Sequence, residues 1–131
     1  MTAFVNTDVV VHHLTGEPAE LAARATAFLY GPERLLLTDL VVAETVDVLE
    51  TVYEAPRDAI AQAVRSLVEF DAVVCVDPAL LLRAIEVYET APVRFAEAYL
   101  VASAESTDVN RIVSFATSID RVTTVDRIEP P

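Results

Sequence analysis

Lysine is absent from this 131-residue chain: all nine basic residues are arginine, against 21 Asp and Glu, for a formal net charge of −12. That balance has the wrong sign for a surface that gathers nucleic acid by counterion release, so an RNA ligand would need local arginine or a bound metal to attract it. The acidic, lysine-free composition fits either a high-salt cytoplasm or a GC-rich genome. Cysteine is nearly absent as well. Cys75 stands alone, which excludes an internal disulfide, and with nothing basic beside it the thiol reads as a small core residue of a middle strand. No apolar run approaches the about 20 residues that a membrane span needs, and no basic region precedes an apolar one as in a secretory signal. The expectation is a soluble, cytoplasmic protein without a membrane partner. Glycine occurs only twice, as Gly16 and Gly31, each where a helix is expected to stop.

What is present is apolar and periodic. Hydrophobic residues make up 53% of the chain and mean hydropathy is +0.41, which excludes disorder. A chain of this length is expected to form a single domain over residues 1–131, burying roughly two-thirds of the surface its unfolded form exposes. Strands are expected at 2–5, 34–37, 72–76, 111–115 and around 125–128. Helices are expected at 7–14, 18–30, 38–53, 56–70, from 78 to about 89 and from about 93 to 105, with a helical turn at 118–121. Strands separated by helices imply an α/β fold with three layers, a central mostly parallel sheet of four to five strands and helices on both faces.

The stretch Phe4-Val5-Asn6-Thr7-Asp8-Val9 organises the rest, because an apolar run ends there in a polar triplet and resumes with helical spacing. In α/β sheets ligands sit outside the carboxyl ends of the strands, so Asn6 and Asp8 are site candidates. Asn and Asp are also preferred helix caps, and the triplet alone admits both readings. Two further carboxylates interrupt apolar helices. Glu44 shares a face with Leu40, Val41 and Val48, and Glu97 shares one with Val93, Leu100 and Val101. A buried carboxylate demands a partner, which is either an arginine or a hard cation such as Mg²⁺.

These segments, with His13-Leu14-Thr15-Gly16-Glu17-Pro18, Ile112-Val113-Ser114-Phe115 and Ile128-Glu129-Pro130, resemble a PIN domain from end to end. Within that group the chain is most similar to VapC-type toxins of toxin–antitoxin pairs. The resemblance implies a Mg²⁺- or Mn²⁺-dependent endoribonuclease, a homodimer, and an antitoxin-like protein partner. It also implies four acids, at positions 6, 44, 97 and 116. Here position 6 is Asn, 44 and 97 are Glu, and 116 is Ala, so two carboxylates remain of four. Asp8 could compensate only if the strand continued past Asn6; a helix starting at Thr7 makes it a first-turn residue. Asp120, four residues beyond Ala116, is a second compensating candidate or an ion-pair partner. Ser114 is a candidate polar contact to water or phosphate.

His12 and His13 lack an acid or serine partner at a recognisable spacing and read as structural, one on the core side of the helix and one in solvent. Asn6-Thr7-Asp8 has the form of an Asp-x-Asp hydrolase motif, but Asn stands where the nucleophile belongs. The expected protein is therefore a PIN-like nuclease of low or absent activity, with Glu44, Glu97 and Asn6 as catalytic positions and Glu44, Glu97 and Asp8 as weak metal ligands. The alternative is a non-catalytic PIN-fold protein that binds an antitoxin-like partner or itself, using surplus apolar positions on the second and fourth helices.

Overall fold

A computed structural model describes every residue from Met1 to Pro131. Its backbone packs as two compact units, Met1–Pro78 and Ala79–Pro131. The first contains β1 (Thr2–Phe4), α1 (Thr7–Thr15), α2 (Ala19–Leu29), β2 (Arg34–Leu36), α3 (Asp39–Thr51), α4 (Arg57–Val68) and β3 (Val73–Val74). Its strands pair in parallel in the order β1-β2-β3. Parallel neighbours need long crossovers, and the helix pairs α1–α2 and α3–α4 supply them.

Side chains alternate across a strand, so register decides which row is buried. Leu35 pairs with Ala3 and Val73 in a row that meets the core, where Leu35 is 2% exposed. The next row aligns Phe4, Leu36 and Val74, and there Phe4 is 72% exposed. Leu29, Leu37, Val42, Val46, Ile60, Val64 and Leu67 complete the buried set. Burying each such side chain is worth about 1.5–3 kcal/mol.

Helix ends follow local chemistry. Gly16 takes a left-handed φ of 74° and its N–H donates to the His12 carbonyl, closing α1. Thr38 caps α3 by accepting from the Val41 N–H at 3.2 Å. Pro18 and Pro56 stand at the cap positions of α2 and α4, one place earlier than a first-turn proline. The strand expected at 72–76 contracts to two residues. Leu37 N–H donates to the Val74 carbonyl as β2 leaves the ladder, and Val76, with no strand beside it, is 98% exposed. Cys75 consequently lies past an edge strand rather than inside a middle one. It is half-buried, and burial, aided by the Asp39 carboxylate, raises its thiol pKa.

The second unit continues α5 (Pro78–Thr90) into α6 (Phe95–Ser106), β4 (Arg111–Val113), a 3₁₀ helix (Thr117–Arg121) and β5 (Asp126–Ile128), with β4 and β5 parallel. Leu81, Ala84, Ile85 and Tyr88 on α5 are buried, as are Phe95, Ala98, Val101 and Ala102 on α6, and Tyr88 meets Phe95 edge to face at 6.0 Å. All strand pairs are parallel, as the alternation of strands and helices implied. The five strands fit the expected count and are hydrogen-bonded as a ladder of three and a ladder of two, a grouping that runs of two or three residues do not encode.

One charged cluster holds the second unit together. The Arg83 guanidinium grips Glu105 through Nε at 2.7 Å and Nη2 at 2.9 Å, and also pairs with Glu86, while the Thr124 hydroxyl donates to Glu105. This fork joins α5, α6 and the loop before β5. Hydrogen bonding from Arg83 depresses the Glu105 pKa below the ordinary 4.5. A depressed carboxylate contributes stability that is full above its unfolded pKa and is lost as pH falls through the folded one. Acid unfolding should therefore cost wild type its advantage over Glu105→Gln below pH 4.5, and circular dichroism should find the two alike once both are uncharged. A constant difference down to the lowest pH would remove the ion pair from this account.

Candidate acidic site

Because β1 and β2 are parallel neighbours, their carboxyl ends share one edge of the ladder, and the helices that follow them start side by side. Asn6, Thr7 and Asp8 open α1 at that edge, and Glu44 lies on the second turn of α3. The Thr7 hydroxyl donates to Glu44 Oε2 at 2.8 Å, and this bond joins the two elements at the site. Thr7 had no assigned role in the sequence, although a hydroxyl between two candidate ligands at a strand end was a readable signal.

Glu44 is not an inward carboxylate. The buried face of α3 is Val42, Thr45, Val46 and Leu49, the i, i+3, i+4, i+7 stripe, which turns Glu44 to the exterior beside a 68% exposed Leu40. Leu40, Val41 and Val48 form a second apolar group around Glu44, so two stripes were available and packing selected the other. Asn6 occupies the α1 cap position but its side chain makes no cap hydrogen bond, leaving the amide exposed. The helix does begin at Thr7. Asp8 is therefore an exposed first-turn residue whose Oδ1 accepts from the Val9 N–H at 2.8 Å, and it favours the positive end of the helix dipole.

In the second unit Glu97 does point inward. Its side chain is 16% exposed, and its Oε2 is buried without a hydrogen-bond partner. The nearest cation, Arg94, approaches that oxygen only to 4.0 Å and is itself 85% exposed. That separation exceeds a hydrogen bond, so the pair gives weak, solvent-screened attraction and leaves the oxygen unsatisfied. Ser114 is spent locally: its Oγ accepts from the Ala116 N–H at 2.9 Å, a two-residue turn, and its carbonyl accepts from Arg127 at 3.0 Å. Asp120 is held by Arg127 in two bonds of 3.0 and 3.1 Å, and Arg127 also pairs with Glu129. Hydrogen bonding to Arg127 lowers the Asp120 pKa. Asp120 is thus an ion-pair partner and not a replacement for the acid missing at Ala116. Arg127 went unread in the sequence, yet it shares the inward phase of Val125, where an arginine needs anionic partners.

Both histidines are half-buried, in place of one inward and one solvent-facing, and each is hydrogen-bonded within the fold through Nδ1. His12 Nδ1–H donates to the Glu17 carbonyl at 2.7 Å. His13 is hydrogen-bonded to Thr26 Oγ1 at 2.8 Å and meets Phe70 edge to face, and burial lowers its pKa.

The family model for the PIN domain matches residues 3–125. The chain belongs to the PIN-domain family. A search of curated proteins gave no match. PIN domains have a nuclease-type fold and bind divalent metals in support of nuclease activity. In this PIN domain no three His, Cys, Asp or Glu side chains form a group that could hold a metal ion. The orphaned Glu97 oxygen suits a cation, but it has no companion ligands in such a group, and Asn6 and Ala116 supply no carboxylate, so the residues present do not fit a divalent metal.

The buried, unpaired oxygen of Glu97 carries a desolvation cost with no compensating bond. Glu97→Met should therefore stabilise the isolated protein by about 1 kcal/mol in urea unfolding. A loss of stability on that change would mean that the carboxylate has a partner in solution.

Proposed function

We propose that this PIN domain is a VapC-like protein of the endoribonuclease lineage, a type II toxin–antitoxin component whose acidic site has decayed to weak or no activity. The observation that carries the reading is the retained Glu44, gripped by Thr7 at the carboxyl edge of the ladder, in a chain that has Asn6 and Ala116 where the family's other acids belong. Glu44 and Glu97 are the surviving ligand positions, Asn6 is the third catalytic position in neutral form, and Asp8 is a peripheral carboxylate. The implied ion is Mg²⁺ or Mn²⁺, bound weakly, and RNA is the substrate class. In this reading the protein is cytoplasmic, pairs as a homodimer, and has an antitoxin-like protein partner. No helix is long and apolar enough to cross a membrane.

The missing carboxylates together remove transition-state charge stabilisation, which at several kcal/mol of barrier corresponds to roughly a thousandfold in rate. Restoring both acids, Asn6→Asp with Ala116→Asp, should raise RNA cleavage by about that factor in Mn²⁺ or Mg²⁺. EDTA and a further Glu44→Gln should each abolish the gain. Vigorous EDTA-sensitive cleavage by the unaltered protein would overturn the decayed-site reading, and no gain on restoration would overturn the nuclease lineage. Sedimentation of the same preparations tests the dimer, which a monomer at high concentration would exclude.

The second reading, a non-catalytic binding protein, is favoured by apolar side chains left on the exterior: Leu21 and Phe28 on α2, and Leu40 and Val52 at the two ends of α3. α4 offers none, since Ile60, Val64, Leu67 and Val68 are all buried. Its surplus apolar positions belong to the core.

A further inference from the structure

Against the outer face of α1 and α2 lies an open hollow of about 400 Å³, within the size range of small-ligand sites, lined by Asp8, His12, Leu21, Arg24 and Phe28. Three of its properties point to one ligand chemistry. Arg24 is exposed and, like Arg34, Arg111 and Arg121, makes no ion pair or side-chain hydrogen bond, in a chain where Asp and Glu outnumber Arg 21 to 9; of these four arginines it is the one that lines the hollow. An arginine left single amid such an excess of carboxylate presents five uncommitted N–H donors to an incoming anion. Phe28, one turn further along α2, is 43% exposed and offers a π face beside that guanidinium. Asp8 and His12 stand one turn apart on α1. The Val9 N–H occupies Asp8 Oδ1 and leaves Oδ2 to accept, and the Glu17 carbonyl takes His12 Nδ1–H and leaves Nε2 to accept.

An anion-binding guanidinium, an exposed aromatic face and free acceptors are the parts that bind a nucleotide unit of a single strand: phosphate on arginine, base on the ring, base N–H groups on the acceptors. We propose that this hollow is a docking subsite for one nucleotide of single-stranded RNA, with Arg24 on a phosphate, Phe28 stacked on a base, and Asp8 favouring bases whose edge carries N–H donors. It rests on the RNA reading above and adds to it the local arginine that a protein of charge −12 needs in order to hold a polyanion at all.

The test titrates the full-length protein into fluorescein-labelled single-stranded oligoribonucleotides in EDTA, followed by anisotropy, so that binding is read without cleavage. Phe28→Leu keeps apolar bulk at an exposed position but removes the π face, and should weaken binding by about tenfold, whereas Phe28→Tyr should bind like wild type. Arg24→Gln should lower the slope of log affinity against log salt by about 0.7, the share of one phosphate on a single strand. Arg121→Gln, an exposed arginine outside the hollow, should leave affinity and slope unchanged. Full RNA affinity in Phe28→Leu and Arg24→Gln would overturn the subsite while leaving the RNA reading intact. An equal loss in Arg121→Gln would overturn it as diffuse charge attraction. No binding by wild type to any of the oligoribonucleotides would overturn the subsite and the RNA reading together.

Discussion

Parallel pairing of β1 with β2 is the constraint from which the rest of the first unit follows. Two parallel neighbours end on the same edge, and each must return through helices, so the chain leaves that edge twice. The first exit delivers Asn6, Thr7 and Asp8, and the second delivers Thr38 and, on the second turn of α3, Glu44. The 2.8 Å bond from Thr7 to Glu44 is the local consequence. In an antiparallel pair the same two exits would lie at opposite edges, more than a strand length apart, and no hydroxyl could reach that carboxylate.

Charge in this protein is used in three distinct ways. Arg83 and Arg127 are structural cations, each holding two carboxylates: Arg83 ties α5 to α6, and Arg127 ties β5 to the 3₁₀ helix just before it. Glu97 is the reverse case, a largely buried carboxylate oxygen with nothing bonded to it, the kind of unsatisfied group that a packed core tolerates only where something other than stability selects it. Arg24 stands outside both patterns as an exposed cation left unpaired beside an exposed aromatic ring.

Much of the architecture was readable because local rules and packing agreed. Gly16 marked the end of α1, Thr38 capped α3, and the stripe Ile60, Val64, Leu67 and Val68 faced the core as its spacing required. Reading failed where a segment satisfied two patterns at once. α3 carries apolar residues beside both Glu44 and Val42, so spacing alone did not tell which of the two faced inward. The run at 72–76 was apolar throughout, yet the strand pairing ended at Val74 and left Cys75 and Val76 outside the ladder. Asp120 and Ser114 had the right chemistry for a site, but Arg127, arriving from β5, claimed Asp120 and the Ser114 carbonyl.

Sequence by itself determined the alternation of strands and helices, the parallel class of the pairing, the membership of most of the core, and the identities at 6, 44, 97 and 116. Those depend on composition, short-range periodicity and which atoms a side chain carries, and all three are local. Tertiary structure decided the split of the strands into ladders of three and two, the outward turn of Glu44, the isolation of Glu97 and the unpaired state of Arg24. Each of these depends on which distant residue arrives within about 3 Å, and a hydrogen bond or ion pair between remote segments leaves no periodic trace along the chain.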